Sequence, residues 1–130
     1  MNQEQEKAFN EGYEFAKKEN DIEKINPFKC LDFMRDNSSA LAKAEANVTY
    51  LTEFRKSKKA LLMIECDAKT ESAKESYAYC HPEYIKVIEG LAEAKNRFVE
   101  LRWLMIAAQA KIEVWRSLES SARAEGRSTQ

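Results

Sequence analysis

Glycine, proline and histidine are scarce in this 130-residue sequence, at three, two and one respectively. A sandwich or barrel of many short strands needs a turn about every 8–12 residues, and this chain lacks the residues to build them. No uninterrupted apolar run reaches the roughly 18 residues of a membrane-crossing helix, so no membrane role is expected. Cys30, Cys66 and Cys80 are odd in number and irregular in spacing, no secretory signal precedes them, and a reduced, cytoplasmic setting is the default. His81 is the only histidine and no C-x-x-C pair accompanies it, so Cys66, Asp67 and Cys80 do not make a zinc pattern and no metal is expected. A glycine-rich phosphate loop and the Glu-x-x-His repeats of a di-iron bundle are also missing. The chain therefore reads as a protein that is not an enzyme and needs no cofactor.

What is present is helix-forming material. Apolar residues make up 44% of the chain, enough for a core, and the formal net charge of −1 conceals a gradient. Residues 1–36 carry six basic and nine acidic groups, residues 37–94 eight and nine, and residues 95–130 seven and four. An anionic partner is thus expected to meet the later part of the chain.

The organisation reads as an acidic helical arm over residues 1–36, a long helical hairpin over 37–125 and a flexible tail at 126–130. In the arm, Phe9, Tyr13 and Ala16 lie at helical spacing between about Gln3 and Asn20. Asn26-Pro27 predicts a turn, followed by a second short helix over Cys30 to Arg35. From Ser38 to Tyr79 neither glycine nor proline occurs, which predicts one long helix over residues 38–79. Pro82 suits the first turn of another, over residues 83–124, with Gly90 as a weak point and Gly126 near its stop.

The second long helix repeats Val87, Leu91, Ala94, Phe98, Leu101, Met105, Ala108, Ile112 and Trp115 in alternating steps of four and three. That is a heptad seam. The first answers with Leu41, Ala44, Val48 and Leu51, is interrupted by Arg55 and Lys58, and resumes at Leu62. Nearly opposite the seam, the second helix carries Trp103, Ala107, Ala110, Val114 and Leu118. Two apolar faces need two partners, so the fold expected is an all-α antiparallel hairpin in an oligomeric bundle, with those five residues as its interface.

The densest charge is Arg55-Lys56-Ser57-Lys58-Lys59. Folding back at Pro82 would set residue 58 level with residue 104, bringing the cluster beside Arg102 and Trp103, with Tyr50 and Phe54 a turn away. Cations beside aromatics suit a single-stranded nucleic acid, which offers phosphates and stackable bases. The competing reading is a solvated helix face. Tyr77, Tyr79, His81 and Tyr84 cluster at the expected tip, as a recognition surface or as end packing.

The layout of residues 41–123 resembles the helical core of the UvsY-like phage recombination mediators: a basic cluster mid-helix (RKSKK), a tyrosine-bearing break (YAYCHPEY), then LAEAKNRFVELRWLMIAAQAKIEVWRSLESSAR. The resemblance implies a phage-encoded homo-oligomer that binds single-stranded DNA and helps a recombinase displace single-strand binding protein. Arg55, Lys56, Lys58 and Lys59 match that family's mid-helix basic patch, and Arg102 is the further expected DNA contact. Two other readings stay open. A scaffolding coiled coil would self-associate without binding DNA, and an adaptor or inhibitor of a host nuclease would use the acidic arm at Glu4, Glu6, Glu11 and Glu14.

Overall fold

The computed structural model describes residues 2–19 and 25–128, with side chains for 2–11 and 25–127. Tyr13, Glu14 and Ala16 as side chains, residues 22–24 and residues 129–130 lie outside that description. Four helices account for nearly all of it: α1 (Gln3–Glu19), α2 (Pro27–Glu65), α3 (Glu71–Cys80) and α4 (Pro82–Ser128). No strand occurs among the described residues, and no helix is long and apolar enough to cross a membrane.

Each start has a local cause. At α1, Asn2 Oδ1 accepts from the Gln5 backbone N–H at 2.8 Å while Gln5 Oε1 accepts from that of Asn2 at 3.2 Å, a reciprocal capping box. At α2, Asn26 Oδ1 accepts from the backbone N–H groups of Phe28 and Lys29. Pro27 then occupies the first helical position, where its missing N–H costs nothing. The expected turn and separate short helix at residues 30–35 are therefore the opening turns of α2, because proline restrains only the residue before it, and that residue is the cap. Ser38, expected near a helix start, lies inside α2 and donates its hydroxyl to the Arg35 carbonyl at 2.9 Å.

The single helix expected over residues 38–79 is also corrected. It ends at Glu65, and a break at residues 66–70 separates it from α3. Thr70 caps α3, accepting from the Ala73 N–H at 3.1 Å. Without glycine or proline, this stop is set by a capping threonine and by the docking of α3, whose Ala78 is wholly buried. His81 then ends α3 and caps α4, its Nδ1 accepting from the Glu83 N–H at 3.1 Å ahead of Pro82 at the first helical position. From there α4 continues through Gly90 and Gly126 to Ser128, past its expected end at 124.

The described chain clusters into two compact units. Arg35–Met105 forms one, containing most of α2, all of α3 and the first half of α4. Its buried residues are Leu62, Ala78, Leu91, Ala94 and Leu101. Met1–Met34 with Ile106–Gln130 forms the other, where Ala108 is buried and Ile112 and Trp115 are half-buried. Phe9 of α1 is exposed. Every seam residue expected on α4 is buried or half-buried, and on α2 the half-buried positions Leu41, Ala44, Val48, Leu51, Arg55 and Lys58 lead to buried Leu62. The basic interruption thus lies in the seam itself.

Candidate functional site

Within the unit of residues 35–105, the end of α2 meets α3 and the start of α4. Lys58 Nζ pairs with Glu83 of α4 at 2.7 Å, and Lys59 Nζ with Glu75 of α3 at 3.3 Å. The Tyr77 hydroxyl donates to Glu65 at 3.4 Å, and burial, followed by the Glu65 charge, raises its pKa. Residue 58 therefore lies level with residue 83, not with 104. The break after Glu65 makes α3 a separate element, so α4 starts beside the basic cluster while Arg102 and Trp103 lie five turns or so further along that helix.

The consequence is a different set of neighbours. Arg55, Lys56 and Lys59 line a cleft of about 320 Å³ with Tyr79 and Tyr84. The tyrosine rings meet edge to face at 5.4 Å, and Lys59 Nζ lies 4.7 Å from the Tyr79 ring centre. Its interaction with Tyr79 is the main cause that raises the Lys59 pKa, with Glu75 adding to it against burial. Glu83 moves the other way, its carboxyl held below the ordinary value by the bond to Lys58. Tyr77, by contrast, packs edge to face on His81 at 5.5 Å.

The charges in this region are largely matched. Lys56 pairs with Glu53 at 3.4 Å, so Glu53, Glu75 and Glu83 answer three of the four cations. Arg55 is half-buried and forms no ion pair or hydrogen bond with the described chain. A guanidinium held at the wall of a polar cleft without an internal anion is an open binding group for a carboxylate or phosphate. Arg55 thus combines a half-buried seam position on α2 with a place in the cleft wall, which a long basic side chain can do with an apolar stem and a charged end.

The remaining expected contacts lie elsewhere. Arg102 is exposed and covers the Phe98 ring at 5.6 Å, away from the cleft residues. Tyr50 and Phe54, one turn apart on α2, stack on each other at 5.8 Å, with Phe54 directly preceding Arg55. Trp103 is 60% exposed, and Ala107, Ala110, Val114 and Leu118 are exposed as well. In the unit of residues 106–130, Arg116, Ser120, Arg123 and Arg127 line a second basic cleft of about 280 Å³, where Glu113 pairs with Arg116 at 3.4 Å. In the single-helix hairpin expected from the sequence, Tyr79 and Tyr84 lie at the tip, apart from the basic cluster. The signal that joins them is Thr70-Glu71, a cap and a first-turn acid that mark a helix start.

No known protein family matches the chain, and no curated protein or solved structure is significantly similar to it.

Proposed function

We propose that this protein binds single-stranded nucleic acid in the cleft between α2, α3 and α4, acting without catalysis as an accessory protein that works in several copies. Arg55 holds one phosphate, Lys56 and Lys59 border it, and a base rests against Tyr79 and Tyr84. The observation that carries this reading is the unanswered, half-buried Arg55 beside two tyrosine rings. Helices α2 and α4 serve as the arms of a hairpin. The resemblance to UvsY-like mediators supplies the biological role, loading a recombinase onto phage DNA covered by single-strand binding protein.

Charge matching makes the expected binding distinctive. With three of four cations paired internally, each protomer neutralises about one phosphate, so log affinity falls against log salt with a slope near −0.7 per protomer engaged. Fluorescence anisotropy of labelled single-stranded DNA across a salt series tests this. Arg55→Ala should abolish most of the slope, and Tyr79→Ala should weaken binding by about 1–3 kcal/mol with the slope unchanged. Absence of binding at low salt, or an Arg55→Ala protein that binds like wild type, would refute the reading.

The second reading is a scaffolding coiled coil, favoured by the exposed Trp103 and Val114 on α4. It predicts self-association with no affinity for DNA.

A further inference from the structure

The outer face of α4 within the unit of residues 35–105 is apolar and uncovered. Ile85, Ile88, Val99 and Trp103 are all exposed. At 3.6 residues per turn they all fall within about 30° of one common line, on the side of α4 away from buried Leu91, Ala94 and Leu101. Ala92 continues the row between Ile88 and Val99, and the row has no apolar residue on the turn between Ala92 and Val99.

The two borders of this stripe carry opposite charge. On the same helical geometry Lys95 and Arg102 lie about 60–80° to one side, and Glu89, Glu93 and Glu100 lie about 60–100° to the other. All five are exposed. None of them is in an ion pair with the described chain; Arg102 has only the Phe98 ring beneath it. A stripe so bordered selects the direction of whatever helix covers it.

We infer that the stripe is covered by the same stripe of a second copy of this chain, with the two α4 helices parallel about a twofold axis. When two identical helices pair in parallel, each border faces the opposite border of its partner, so Lys95 and Arg102 approach the partner's acidic row on both sides. In an antiparallel pair each border faces its own kind: acid meets acid and base meets base. The bordering charges therefore favour the parallel pair and oppose the antiparallel one. This deepens the multi-copy part of the proposed function and rests on it, but it requires nothing of the Arg55 cleft.

Sedimentation equilibrium of the full chain without nucleic acid, repeated on the Arg55→Ala chain, tests the pairing separately from DNA binding. Wild type should dimerise and should weaken as sodium chloride rises from low to high, because attractive border pairs are screened. Reversing one border in Glu89→Lys/Glu93→Lys/Glu100→Lys, or the other in Lys95→Glu/Arg102→Glu, should each loosen the dimer about tenfold, as a few exposed pairs turn repulsive. Mixing the two variants in equal amounts should restore association. Circular dichroism should show unchanged helix content, since no internal ion pair is lost. A wild-type chain that stays monomeric would overturn both self-association and its geometry. A dimer that tightens with salt, or ignores both border reversals, would overturn the parallel arrangement alone.

Discussion

Lys58 and Glu83 form an ion pair at 2.7 Å that ties α2 to the first turn of α4. The Glu83 carboxyl is held below its ordinary value by that bond, so folding favours its ionised form. Its contribution is complete above the unfolded-state pKa and is lost as pH falls through the depressed folded value. Urea midpoints measured from pH 6 down to pH 3 should therefore fall less steeply in Glu83→Gln than in wild type, with the difference confined to the acid side. Gly90 offers the opposite case. It lies inside α4 without positive φ, and a methyl group there would meet nothing within 4 Å. Gly90→Ala should stabilise the chain by about 0.5–1 kcal/mol and raise the thermal midpoint by roughly 2–5 °C in calorimetry.

Among the elements, α3 is the one on which the cleft depends. It is ten residues long, too short to be stable alone, and it is held by the Thr70 cap, by Ala78 in the core and by the contacts of Glu75 and Tyr77 with α2. Thr70→Ala should cost about 1 kcal/mol in denaturant unfolding. It should also weaken nucleic-acid binding, because α3 carries Tyr79 into the cleft. Hydrogen exchange should then show faster opening of residues 71–80 than of α4. The long helices behave differently. Leu101→Ala removes a side chain that is 5% exposed and should cost roughly 2–4 kcal/mol, whereas Val99→Ala, two residues along and on the outer face, should leave a monomer's stability nearly unchanged. Comparing their urea midpoints at low protein concentration checks the assignment of the two faces of α4.

For the whole molecule, the decisive quantity is how little is buried. Only six of the described residues fall in the core, three leucines and three alanines, while Trp103 and several isoleucines remain in solvent. On the self-association proposed above, a chain with so thin a core should gain much of its stability from its second copy, so its thermal midpoint should rise with protein concentration, and Trp103→Ala should flatten that dependence. The sequence by itself determined the helical class, the α4 seam from Val87 to Trp115 and the second apolar face, since composition and the 3.6-residue period are local properties of the chain. It also marked Arg55 and Lys58 as seam interruptions. Only the tertiary structure decided where α2 stops, because the stop at Glu65 contains no helix breaker and exists where α3 docks its buried Ala78. That one break moves the partner of the basic cluster from Trp103 to Tyr79, Tyr84 and Glu83, a change of some 20 residues along the chain that no local pattern reports. Register between helices is fixed by which side chains fill the shared interior and which charges find partners at its edge, and those are relations between segments rather than properties of any one of them.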